Sequence, residues 1–158
     1  MNKVAYYSRI LRLFVTIALT LMIIVMPLVC LAILTQSAPL AEKLKAFAIV
    51  AISSGLEIWA YALVWKILSM FMQNRIFESV NARRIIMIAW LKVFSLATTS
   101  AAVFLKIPVI ANLDGQYKDV SFIMKDSSGG IVTIFTFLII GYILEEACRL
   151  HEEGKLTI

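Results

Sequence analysis

The chain has little of the material from which catalytic and metal sites are made. Its 158 residues include one histidine and two cysteines. His151 stands close to the C-terminal end with no nucleophile beside it, and no GxSxG, HExxH, phosphate-loop or nucleotide-binding pattern occurs anywhere. Cys30 and Cys148 share no CxxC or Cys/His spacing, which argues against a disulfide, a metal or any cofactor. Cys30 is not a lipoprotein cysteine either, because Val29 precedes it where a small residue is required. Buried cysteine in such a setting behaves as a small apolar side chain. The expectation is a protein without enzymatic activity.

Four long apolar stretches fill most of the chain: Leu13 to Leu34, Ala46 to Met72, Ile85 to Leu105, and Gly129 to Leu144 running on through Ala147 and Cys148. At about 1.5 Å per residue each of the first three spans a hydrocarbon core of about 30 Å, and the fourth does so once its helix continues past Glu145 and Glu146. A hydrophobic fraction of 61% and a mean hydropathy of +0.91 exclude an ordinary soluble domain. The reading is an all-α polytopic membrane protein, one integral domain over residues 1–158, with four transmembrane helices at about 12–34, 46–72, 85–106 and 128–150. The connections are too short to hold a further folded domain. The basic start (Lys3, Arg9, Arg12) imitates a secretory signal, but the apolar run after it is too long for one, so it is read as a retained first helix.

The net charge of +5 would point to nucleic acid in a soluble protein. Here the basic residues gather at helix ends, where they meet anionic headgroups and set topology, so no direct nucleic-acid binding is expected. Lys3, Arg9 and Arg12, then Arg75, Arg83 and Arg84, then Arg149 and Lys155 outnumber Lys43, Lys45, Lys106, Lys118 and Lys125 on the other side. This bias places both termini and the 73–84 connection in the cytoplasm.

Pro27 should kink the first helix unless neighbours satisfy the carbonyl it frees. Ser53, Ser54 and Gly55 in the second helix and the small residues Ala97 to Ala102 in the third mark expected close approaches, or else a polar lining for a small cavity. In the third connection, Asp114-Gly115 between two short apolar runs resembles a hairpin turn, so a small extracellular hairpin over about 109–122, or a loop lying on the headgroups, is expected. Gly129-Gly130 is expected to open the last helix and Gly154 to end it in a left-handed conformation.

Glu57 is the most unusual residue. It lies halfway along the second apolar stretch, where an unpartnered carboxylate costs several kcal/mol. Lys92 is its best partner and Lys66 the second, although Lys92 sits about 10 Å nearer the cytoplasmic side if the third helix begins at Ile85. Proton or cation handling competes with a purely structural pairing. Lys66 and Lys92 lie within snorkelling reach of the surface, Trp65 and Trp90 near the interface, and Trp59 deeper, as a packing residue. Glu145 and Arg149 fall on one face of the last helix.

The segment Asn74-Arg75-Ile76-Phe77-Glu78-Ser79-Val80-Asn81-Ala82-Arg83-Arg84-Ile85 and the ending Glu152-Glu153-Gly154-Lys155-Leu156-Thr157-Ile158 resemble bacterial membrane proteins of domain-of-unknown-function family 2975. The four-span layout is similar too. Gly154-Lys155 stand where that family has Asn-Asp, and the glycine expected before Phe77 is missing. No enzymatic activity is established for the family, and its genes often lie beside a small helix-turn-helix regulator. The resemblance therefore implies a multi-pass protein of the bacterial inner or plasma membrane that acts as regulatory partner of a cytoplasmic helix-turn-helix transcription regulator. Phe77, Asn81, Arg83, Arg84, Glu145, Glu146, Leu156 and Ile158 would form the docking surface. The alternatives are a small transporter or channel, as a homo-oligomer with Glu57 in its path, and an immunity protein that meets a membrane-active peptide with the loop from Lys106 to Ser128.

Overall fold

The computed structural model describes residues 3–35, 39–73, 75–104 and 120–156. Four helices account for nearly all of them: α1 (Lys3–Thr35), α2 (Leu40–Met72), α3 (Ser79–Phe104) and α4 (Val120–Leu156). Each contains a segment long and apolar enough to cross a membrane, and no strand occurs among the described residues. The protein is a multi-pass integral membrane protein.

The helices pack in chain order, α1 on α2, α2 on α3 and α3 on α4. The start of α1, the 73–78 connection and the end of α4 share one end of the molecule, called the terminal end below. Contacts there include Arg12 with Met72, and Phe77 with His151. The seams follow a seven-residue rhythm. On α1, Ser8, Arg12, Val15, Leu19, Met22, Met26, Val29 and Ile33 are buried or half-buried at a spacing of three and four along the helix, with Ala5, Ala18 and Cys30 half-buried beside them. On α4, Ile134, Gly141 and Cys148 are buried seven residues apart. Such a stripe keeps one face against a neighbour at a shallow left-handed crossing. The central cluster lies between α2 and α3, where Ala60, Leu63 and Ile67 meet Ile85, Ile88 and Leu91, and Phe137 and Leu144 of α4 close over it.

Several boundaries differ from the sequence expectations, for physical reasons. α1 begins nine residues before position 12, because a helix continues through its basic turn once the backbone bonds are satisfied internally. It also runs unbroken through Pro27. Residues 105–119, with the Asp114-Gly115 turn, lie outside the described residues. Val120 to Phe122, expected as the second half of a hairpin, instead begin α4. Gly129-Gly130 and Gly154 lie inside α4, and Gly154 does not adopt the left-handed conformation.

Glycine acts elsewhere than expected, whereas Ala102 is buried and Ser54 lines a groove, as the small-residue segments suggested. Gly55 is exposed with open space around it, so it is no point of close approach. That role belongs to Gly141, where an added Cβ would stand 2.6 Å from Ile86 Cγ1 and 3.3 Å from the Ile86 backbone nitrogen. The buried alanines are Ala46, Ala60, Ala82, Ala89 and Ala102. Thr98 and Thr99 each donate to a carbonyl of their own helix, Phe94 at 2.8 Å and Ser95 at 3.0 Å. Those hydroxyls are thus satisfied in an apolar setting without lining a cavity.

Candidate functional site

Two groups of polar side chains stand out, one at mid-depth and one at the terminal end. Glu57 is seventeen residues from the start of α2 at Leu40 and fifteen from its end at Met72. It lies one turn beyond Ala60, so it continues the α2 face that packs on α3. There its carboxylate pairs with Lys92 Nζ through Oε2, while Ser95 Oγ donates to Oε1 at 3.1 Å. Lys92 also lies 5.8 Å from the centre of the Tyr61 ring, one turn from Glu57 on α2. Both carboxylate oxygens are engaged, and the side chains of Lys92 and Glu57 retain 28% and 23% of their exposure.

The depth mismatch read from the sequence disappears in the structure. Hydropathy begins the third helix at Ile85, but α3 starts at Ser79, which puts Lys92 thirteen residues into it. Measured from the terminal end, Glu57 and Lys92 then differ by two residues, about 3 Å of rise. The early start has an identifiable cause in Asn81. Its backbone N–H bonds the Glu78 carbonyl at 2.8 Å, and its Nδ2 donates to the carbonyls of Arg75 at 2.8 Å and Ile76 at 3.2 Å. The side chain thus gathers the incoming connection onto the first turn of α3. Its Oδ1 is buried with no hydrogen-bond partner among the described residues.

Lys66 is exposed and makes no ion pair among the described residues, so it is not part of the Glu57 cluster. Trp65 is half-buried beneath Arg12, whose guanidinium carbon is 4.0 Å from the ring centre. Trp90 is exposed, and so is Trp59 at 56%, which corrects its expected packing role and makes it an outward-facing residue.

At the terminal end the expected docking residues separate into two sets. Phe77 is 52% exposed, and its ring lies 5.7 Å from that of His151, tilted by 37°. Arg83, Glu145 and Glu146 are exposed as well. Asn81, by contrast, is fully buried and offers no surface, because its amide serves the connection as described. Arg84 is half-buried, with Nη1 on Met70 Sδ. Arg149 pairs with Glu146 at 2.6 Å and Glu153 at 3.7 Å, three and four residues away, and not with Glu145. Arg75 pairs with Glu78 beside Phe77. The side chain of Leu156 and the whole of Ile158 lie outside the described residues. His151 and Gly141 are the contacts that sequence reasoning missed: a lone tail histidine carries no pairing signal, and Gly141 is marked only by the seven-residue spacing of Ile134, Gly141 and Cys148.

Among the described residues no group of His, Cys, Asp and Glu could hold a metal ion. The mid-depth cluster can hold α2 to α3 by charge, and the terminal-end surface offers an aromatic pair flanked by charges of both signs. Comparison with family models, with curated proteins and with solved structures finds no match.

Proposed function

We propose that this chain is a non-enzymatic membrane-tethered regulatory partner of a cytoplasmic helix-turn-helix transcription regulator, lying in a bacterial inner or plasma membrane with both termini inside. The observation that carries the reading is the joining of two sequence-distant segments into one surface. Phe77 from the α2–α3 connection lies against His151 of α4, and exposed charges stand on the adjoining helices, Arg83 on α3 and Glu145 and Glu146 on α4. Phe77 and Arg83 lie within the 74–85 segment, and His151 directly precedes the 152–158 ending, whose sequences resemble the regulator-linked membrane family 2975. Exposed aromatic residues flanked by charge are what recognition of a protein partner uses.

The test is a crosslinking pull-down from the host's own membranes, with the protein tagged at its N-terminal end and transcripts measured alongside. Enrichment of a helix-turn-helix protein that is lost on Phe77→Ala or on removal of residues 150–158 supports the reading. A preparation with no DNA-binding protein above a control bundle, together with unchanged transcripts after the same removal, contradicts it.

The Glu57–Lys92 pair favours a second reading, a small transporter or channel, since ionisable groups at mid-depth often mark a permeation path. Both Glu57 oxygens are already engaged, so transport must break that pair. Proteoliposome flux that is indifferent to Glu57→Gln would dismiss it.

A further inference from the structure

We propose that copies of this chain associate side by side in the membrane, α1 of one copy lying against α4 of the next. The inference does not rest on the partner-docking reading. Packing runs from α1 to α4 in chain order and does not close on itself. Among the described residues no Cα of α1 comes within 8 Å of one in α3 or α4. A closed four-helix bundle of alternating helices brings its first and last members together. Here α1 and α4 stand instead as the two ends of the row, each with a single close backbone neighbour.

Each end helix keeps a free apolar face. Ile17, Ile24 and Leu31 are exposed on the side of α1 turned from α2, and Val132, Ile139 and Ile143 on the side of α4 turned from α3. Lipid covers such faces equally well, so what selects a second copy is charge. α1 has no acidic residue along its length, and its Arg9 is exposed and makes no ion pair among the described residues. On α4 the glutamates divide into two pairs. Glu146 and Glu153 hold Arg149, whereas Glu145 and Glu152, on one flank two turns apart, are exposed and hold no cation among the described residues. An anionic headgroup attracts Arg9 but repels Glu145 and Glu152. The opposite end of a second copy satisfies both.

The two ends also match in depth. A rotation about an axis along the membrane normal keeps every copy level, so residues that meet across such a contact must stand at one height. Contacts along the row carry the level from α1 to α4. Lys43 of α2 donates to the Leu34 carbonyl of α1, Lys92 and Arg84 of α3 meet Glu57 and Met70 of α2, and Gly141 of α4 faces Ile86 of α3. Followed through these antiparallel neighbours, Arg9 stands level with about residues 141–146 of α4. Glu145 falls in that stretch, and Glu152 lies about 10 Å farther along by helical rise. Because α1 meets α4 and not itself, the contact is heterologous, and it repeats from copy to copy into a ring where the rotation closes.

The test is charge reversal followed by mixing. Association is read by energy transfer between labelled copies in phosphatidylcholine vesicles, whose headgroups carry no net charge, at a fixed protein-to-lipid ratio. Arg9→Glu alone, and Glu145→Arg/Glu152→Arg alone, should each weaken association about ten-fold, because every contact then sets like charges together. All three positions are exposed, and an unchanged unfolding midpoint checks that each variant keeps its fold. An equal mixture of the two variants should recover the starting association, since every contact in an alternating assembly again joins opposite charges. A protein that stays monomeric overturns the proposal. Association that Arg9→Glu leaves unchanged assigns the contact to other faces and overturns it too. So does a mixture as weak as the separate variants, which would mean that α1 and α4 do not meet.

Discussion

Replacing Glu57 by leucine removes the carboxylate that faces Lys92 and Ser95 at mid-depth, and leaves an ammonium thirteen residues into α3. That is eight residues, about 12 Å of helical rise, beyond Arg84 on the same helix. Removing one partner of a buried pair costs about 3 to 5 kcal/mol, and Glu57→Leu belongs at the upper part of that range because Ser95 loses its acceptor too. Lys92→Met should cost about 3 kcal/mol, since Ser95 still donates to the remaining carboxylate. The double variant Glu57→Leu/Lys92→Met leaves no uncompensated charge and two apolar residues on an otherwise apolar seam. It should fall within about 1 kcal/mol of the starting protein, or above it. The assay is equilibrium unfolding of the four proteins in one bicelle composition, by steric trapping or denaturant, analysed as a double-mutant cycle. Single substitutions that each cost under about 1 kcal/mol and simply add in the double variant would refute the claim that this pair joins α2 to α3.

Gly141→Ala should lower stability by about 1 to 3 kcal/mol, and Gly141→Leu by more, because the new Cβ meets Ile86 at 2.6 Å in a seam that must open to admit it; an unchanged unfolding midpoint for both would contradict that contact. Asn81→Leu removes both donors to the Arg75 and Ile76 carbonyls, and a loss of about 2 kcal/mol is expected, with faster amide exchange over residues 75–82 in mass-detected hydrogen exchange. Arg12→Gln should cost about 1 kcal/mol through the lost stacking on Trp65, and should shift the Trp65 emission in a protein carrying Trp59→Phe and Trp90→Phe, both exposed positions. Phe77→Ala, at an exposed position, should change stability by less than about 1 kcal/mol in the same unfolding assay, so any loss of a partner on that variant reports docking and not folding.

Hydropathy alone places all four spans, because a run of apolar residues long enough to cross a bilayer has few other uses. It says much less about which faces meet. In water the lipid-facing side of a helix such as α1 would be polar and its packing stripe would show as a contrast. In a membrane both sides are apolar, so the stripe from Ser8 to Ile33 is hidden among residues of the same kind. The start of α3 was obscured for a related reason: Ser79 to Arg84 are polar enough to pass for a loop, yet Asn81 folds them into the first turns of a helix. That six-residue difference made Glu57 and Lys92 look mismatched in depth. Gly55 and Gly141 show the same limit from the other side. Both are glycines in apolar runs, and only the position of the neighbouring helix decides that one faces open space and the other meets Ile86. Phe77 and Asn81 are close in sequence and equally suited to a docking surface by residue type, but one lies exposed against His151 and the other is sealed beneath the connection.

Site-specific photocrosslinking in the native host tests the docking claim most directly. A photoreactive amino acid is placed at Phe77, at Arg83 and, as a lipid-facing control, at Trp59, all exposed positions. The account predicts that Phe77 and Arg83 each trap the same helix-turn-helix protein and that Trp59 traps none. Crosslinks to that protein from all three positions alike, or from none of them, would contradict a docking surface at the terminal end.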